Sequence, residues 1–168
     1  MPKRKNKIIL GIDPGLARTG FGVISRSNNC LAVLAYGTID TKASLPFPNR
    51  LILIHRSLDK IITKWRPDII AVEELFFHRN ATTAFTVGQA RGVIILCAVQ
   101  HKKEIISCKP LQVKRALTGY GQAKKKQMQK AVAAFLNLST VPSPDDTADA
   151  LAVAICGERL SANSRLSQ

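Results

Sequence analysis

At 168 residues, 46% of them hydrophobic and 21% charged, the chain carries the apolar material for one core of ordinary single-domain size. Its 25 Lys and Arg outnumber 11 Asp and Glu, and the formal charge of +14 argues against small neutral metabolites as partners and for a polyanion. An uninterrupted apolar run of about twenty residues, the mark of a bilayer-spanning segment, is not found, so no membrane partner is expected.

The first seven residues, Met1 to Lys7, are basic like the leading region of a signal peptide. The apolar stretch after them is broken within a few residues by Asp13 and Pro14, so secretion is not expected. Cys30, Cys97, Cys108 and Cys156 are widely spaced without a C-x-x-C pair, which indicates neither a zinc cluster nor a disulfide framework. Two of them lie in apolar runs, and reduced, buried thiols fit the cytoplasm.

In chain order, Lys7 to Ile12, Phe21 to Ser25 and Leu31 to Ile39 read as three strands of a β-meander, separated by Gly-rich and Asn-Asn turns. From Arg50 to Trp65, Leu51, Ile54, Leu58, Ile61 and Ile62 recur at the three- and four-residue spacing of a buried helical stripe, which Pro67-Asp68 ends. Ile69 to Val72 is a short β-branched strand running into Glu73, and helix followed by strand is the crossover of a parallel pair. Asn80 to Gln100 suits a long helix, with Gly88 and Gly92 spaced for close approach of another backbone. A strand over Ile105 to Ser107 follows, then helices over Val113 to Leu117, Lys124 to Leu136 and Asp145 to Gly157. The expected fold class is α/β, a mixed central sheet flanked by helices.

In so basic a chain, six of the eleven acids fall in three places: Asp13, the pair Glu73-Glu74, and the group Asp145, Asp146 and Asp149. Asp13 and Glu73 each end a buried strand, where α/β sheets place their sites, and parallel neighbours would bring them together. Ser143 as a cap, Pro144 at the first helical position and the helix dipole account for Asp145 and Asp146. They do not account for Asp149, one turn further in and followed by the all-apolar Ala150 to Cys156, since a buried carboxylate requires a partner. Asp146 and Asp149, three apart, share a face. Converging carboxylates repel unless cations intervene, and hard oxygen donors select magnesium or manganese over zinc. Two such ions roughly 4 Å apart activate water on one side of a phosphodiester and stabilise the departing oxygen on the other. Read one at a time, the acids would be caps and ion pairs; three coordinated placements favour the metal site.

The segments Ile9-Leu-Gly-Ile-Asp-Pro-Gly15, Thr19-Gly-Phe-Gly-Val23, Val72-Glu-Glu-Leu-Phe76, Gly88-Gln-Ala-Arg-Gly92 and Asp146-Thr-Ala-Asp-Ala-Leu-Ala152 together resemble the bacterial RuvC Holliday junction resolvases, in order from about Ile8 to Ile155. The resemblance implies a ribonuclease H-like fold and a homodimer that makes symmetric nicks in strands of like polarity across a four-way DNA junction. It implies two Mg²⁺ ions per subunit, with Mn²⁺ able to substitute, and the RuvA-RuvB branch-migration complex as partner. Carried onto matching positions, it makes Asp13, Glu73, Asp146 and Asp149 the metal-binding catalytic carboxylates. Glu74 stands where many members carry Gln and is a possible substitute for Glu73; Asp145 is an extra acid. Phe76 matches an aromatic that engages bases at the junction centre, a role Phe77 could share. Lys114 and Lys125 match basic positions used in catalysis or DNA contact.

On this reading residues 1–168 form a single nuclease domain, with 1–7 a basic arm including Lys3, Arg4, Lys5 and Lys7, and 158–168 a short tail. Lys102, Lys103, Lys109, Lys114, Arg115, Lys124, Lys125, Lys126 and Lys130 face only Glu104 over that stretch, a bias expected of a phosphate-contacting surface. Lys124 and Lys126 would contribute to it or be plain surface charge. His55, His78 and His101 have no ligand spacing and read as structural or surface residues, with His78 a weak DNA-contact candidate. Alternatives are another ribonuclease H-like metal-dependent nuclease and a non-catalytic DNA-binding module. A nucleotide-binding ATPase of the actin or sugar-kinase type also opens with a Gly-Ile-Asp strand, but it needs a second domain for which the length leaves no room.

Overall fold

A computed structural model of the chain describes residues 6–28, 30–75 and 81–166. Three strands, Lys7–Asp13 (β1), Arg18–Ser27 (β2) and Cys30–Asp40 (β3), form the expected antiparallel meander. The second begins three residues earlier than its apolar pattern suggests, so Gly20 belongs to a strand and not to a turn. Between β2 and β3 the register shifts after Val23, and Leu34 is the extra residue of a bulge.

The helix Phe47–Trp65 (α1) buries Ile54, Leu58 and Ile62, part of the stripe its spacing predicts, and closes at Arg66 in the left-handed conformation. Asp68 then fixes the next strand. Its backbone N–H donates to the Ile8 carbonyl at 2.8 Å, and its carboxylate accepts from the Ile8 N–H at 2.8 Å. Ile69–Glu73 (β4) consequently lies parallel to β1, with Ile12 beside Val72. Ala81–Gln100 (α2) crosses to Glu104–Cys108 (β5), parallel to β4. The sheet order is β3-β2-β1-β4-β5.

Pro110–Thr118 (α3), Lys125–Phe135 (α4) and Asp145–Leu166 (α5) complete the chain. α5 packs on one face of the sheet with α3 and α4 against it, and α1 with α2 covers the other, giving two apolar clusters separated by the strands. Ala150 to Cys156 is buried throughout, as an all-apolar helical segment requires. Among 81–100, the window Thr83–Gln100 has a mean hydropathy of 1.2 and is 22% buried, long and apolar enough by composition to cross a membrane although Gln89 and Arg91 interrupt it.

Three expectations are corrected. The residues from 158 onward are not a tail: α5 runs to Leu166, with Glu158 buried and paired to Arg26 at 3.0 Å. Lys7 is not part of an arm, since it opens β1 and donates to Ser161 Oγ at 2.7 Å. The first turn of α5 begins at Asp145 rather than Pro144, and the Thr147 N–H and hydroxyl both donate to the Pro144 carbonyl, at 2.9 and 2.6 Å. Lys3, Arg4 and Lys5 lie outside the described residues.

Candidate active site

Glycine determines how closely α5 approaches the sheet. A Cβ on Gly11 would fall 2.7 Å from Ala154 Cα and closer still to the Ala150 carbonyl oxygen, and one on Gly20 would fall 2.8 Å from the Asp146 carbonyl carbon. With hydrogen at both positions the helix backbone rests directly on β1 and β2. Its first two turns therefore carry Asp146 and Asp149 to the end of β1 where Asp13 stands.

Asp13, Glu73 and Asp149 line one cleft of about 290 Å³ with Lys114 from α3 and Lys125 from α4. Glu74, the possible substitute, is not among the lining residues; past the strand end, its N–H donates to the Cys108 carbonyl at 2.9 Å. Asp146 sits at the margin, its carboxylate 3.7 Å from Arg18, and its charge is still felt by Asp13. Arg18 is held in turn by Asp40 at 2.6 Å, which also accepts from Thr38.

The electrostatics are those of crowded anions. Burial, then the charges of Glu73, Asp149 and Asp146, push the Asp13 carboxyl up to about 8, and it shares a hydrogen bond with Glu73. Glu73 is also raised, by burial first and then by Asp149, against the lowering effects of that hydrogen bond and of Lys114. Asp149 is raised by burial, with Lys125 opposing at 3.7 Å. A cleft that must hold a proton to tolerate its own carboxylates is one a divalent cation would relieve, and the donors are hard oxygens. The residues thus fit Mg²⁺ or Mn²⁺.

Asp145 does more than complement the helix dipole. It binds Lys125 Nζ at 2.9 Å and accepts from Gln129 at 2.8 Å, tying α4 to the start of α5. Lys124 and Lys126 are exposed at the N-terminus of α4, where the Lys124 N–H donates to Gln127 Oε1 at 2.8 Å. Neither α3 nor α4 has an acid in its first turn. At α4, where Lys124, Lys125 and Lys126 stand at the start, the cations oppose the helix dipole, an arrangement that suits bound anions rather than isolated stability. Phe76, Phe77 and His78 lie outside the described residues.

Sequence reasoning assigned no role to Arg18 or Arg91. Arg91 donates to the Glu73 carbonyl and to Ser107 Oγ, both at 3.0 Å, and so fixes the end of β4 from α2. Its presence in the Gly88-Gln-Ala-Arg-Gly92 segment was the available signal; for Arg18 there was none, because its partners come from β3 and α5.

The sheet order, the helices on both faces and the strand-end carboxylates define an α/β protein of the ribonuclease H-like class. A family model described as "Crossover junction endodeoxyribonuclease RuvC" matches residues 9–157. The chain belongs to the RuvC family. It is 56% identical over 149 residues to the crossover junction endodeoxyribonuclease RuvC of Alkaliphilus oremlandii, covering 89% of this chain and 91% of the relative. Thermus thermophilus RuvC in complex with Holliday junction substrate superposes with a TM-score of 0.89 at 31% identity, over 94% of this chain and 96% of that one. The yeast mitochondrial Holliday junction resolvase Ydc2, at 17% identity and a TM-score of 0.71, shares the fold over 94% of this chain and 80% of its own.

Proposed function

We propose that the protein is a Holliday junction resolvase of DNA recombination and repair, a metal-dependent endodeoxyribonuclease that works in the cytoplasm as a homodimer. It nicks two strands of like polarity symmetrically across a four-way junction. The observation that carries this reading is the convergence of Asp13, Glu73 and Asp149, with Asp146 at the margin, in a cleft flanked by Lys114 and Lys125.

Asp13, Glu73, Asp146 and Asp149 would hold two Mg²⁺ ions, with Mn²⁺ as substitute. Bound there, the ions supply activation of water and stabilisation of the departing oxygen. Asp13 and Glu73, which share a hydrogen bond, would give up their proton to hold that charge. Arg18 keeps Asp146 at the rim, and Lys125 balances Asp145 and Asp149. Lys114, Lys124, Lys125 and Lys126 contact phosphates, which position the DNA without reading its sequence. Phe76 stacks on bases unpaired at the junction centre, each such stack contributing about 1 to 3 kcal/mol.

The exposed side of α2 supports a dimer: Phe85, Gly92, Leu96 and Val99 follow one another at seven, four and three residues, and the three large side chains are exposed. A Cβ on Gly92 would meet nothing within 4 Å, so the close approach that this glycine permits is left to another molecule. The RuvA-RuvB branch-migration complex is the proposed partner at the junction.

The test is a synthetic four-way junction compared with a linear duplex of the same sequences, with Mg²⁺ and with excess EDTA. Paired, metal-dependent nicks confined to the junction are expected. Equal cutting of duplex and junction would favour a general ribonuclease H-like nuclease, and binding without cutting a non-catalytic module.

A further inference from the structure

Among the described residues, the three His, Cys, Asp or Glu ligand atoms that come within 4.8 Å of one another belong not to the carboxylate cleft but to Asp59, Cys97 and His101. Cys97 lies in the last turn of α2 and His101 one residue past its end, where the His101 N–H still donates to the Cys97 carbonyl at 3.2 Å, so the two stand one turn apart on the same side. Asp59 meets them from α1, with its Oδ1 2.7 Å from His101 Nε2. The sequence expectation that His101 lacks ligand spacing overlooked this Cys-x-x-x-His turn, which becomes a three-donor set only when α1 packs beside it.

We propose that Asp59, Cys97 and His101 bind a divalent transition ion of the zinc class, clipping α1 to α2 at the end of the sheet opposite the carboxylate cleft. Thiolate, imidazole and one carboxylate form a zinc donor set, and bonds of about 2.0 to 2.3 Å to each fall within the span the three atoms define. A soft sulfur and a ring nitrogen discriminate against Mg²⁺, so the site does not compete for the ions that suit Asp13 and Glu73.

The way in is open on one side. The Asp59 side chain is 50% exposed and that of His101 26%, whereas Cys97 is fully buried at the floor. The Cys97 thiol donates weakly to the His55 carbonyl at 3.9 Å. Burial and the charge of Asp59 push it up to about 11, so it is protonated without a cation, and binding would release that proton to solvent. His55 is engaged by Gln100 at 2.8 Å, which leaves three protein ligands and one position for water.

The location follows from topology. α2 leaves the carboxyl end of β4, where Glu73 stands, and delivers the chain to the amino end of β5. His101, just past its C-terminus, is therefore remote from the cleft, and an ion there would brace the helix pair covering the second core.

The experiment is a titration of the full chain with Co²⁺ in excess Mg²⁺, followed by absorption. We expect a sulfur-to-cobalt charge-transfer band saturating at one Co²⁺ per chain, bleached by Zn²⁺, kept in Cys30→Ser and lost in Cys97→Ala. Asp59→Asn and His101→Gln should each weaken Co²⁺ binding by at least roughly tenfold, the lower end of what outer-shell partners alone cost. Zn²⁺ should raise the melting temperature of the wild type and not of Cys97→Ala. Absence of a thiolate band in the wild type, or its survival in Cys97→Ala, overturns the proposal. Should Cys97→Ala fail to fold, unchanged affinity in the partly exposed Asp59→Asn overturns it equally.

Discussion

Asp13 concentrates the chemistry of the cleft in one proton. Its ordinary value of 3.8 applies in the unfolded chain, against about 8 in the fold. Between those values the folded state holds a proton that the unfolded state lacks, so the stability linked to this group is full below about pH 4 and lost as the pH climbs through 8. In EDTA the melting temperature of the wild type should fall more steeply from pH 5 to 8 than that of Asp13→Asn, and added Mg²⁺ should flatten the wild-type slope. Equal slopes in the two proteins would show that Asp13 is already ionised. On the proposed function, Asp149→Asn removes a ligand charge at constant volume. Single-turnover junction cleavage should drop by at least about 100-fold with junction affinity retained, because a direct ligand outweighs the outer-shell partners that cost up to that much. Wild-type turnover would return Asp149 to a structural role.

Among the elements, the position of α5 matters most. Gly11→Ala places a methyl group against helix backbone, which cannot move aside as a side-chain tip can. Overpacking of this kind costs about 1 to 3 kcal/mol, read as a lower urea midpoint. Cleavage should fall further than the folded fraction, since the displaced helix carries Asp146 and Asp149; loss of stability with undiminished activity of the folded fraction would separate helix seating from the site. The N-terminus of α4 has the opposite character. Its lysines weaken the isolated helix and, on the proposed function, strengthen an anion site, so neutralising Lys124 and Lys126 together should leave the melting temperature unchanged or higher. The same change should make the salt dependence of DNA binding shallower by about 0.9 for each phosphate that is no longer neutralised. An unchanged salt slope would mark the two lysines as plain surface charge.

The whole molecule carries +14, and on the proposed function two of its surfaces meet two kinds of partner. One is the basic mouth of the cleft, the other the apolar stripe of α2. Leu96 and Val99, both more than half exposed, lie on the stripe, and replacing them together with Glu should yield a monomer by sedimentation. Because a junction offers two equivalent strands to a two-fold dimer, this variant should also lose paired nicking. A wild-type monomer at micromolar concentration that still cuts both strands together would remove the need for the stripe.

The meander, the parallel return through β4 and the three acidic groups are legible in the chain alone, because each is written in local periodicity or in a strand's last residue. Ile69 to Val72 needs no partner to read as a strand, and an acid after it is conspicuous in so basic a chain. Which acids meet is a matter of packing. Glu73 faces the cleft and Glu74 does not, since the choice depends on the register of β4 against β1, set by Asp68 from outside the strand. Arg18, bridging Asp40 and Asp146, and the cluster of Asp59 with Cys97 and His101 were hidden for the same reason. Their partners are far apart in the chain, and nothing in local spacing encodes a contact made when one element settles on another.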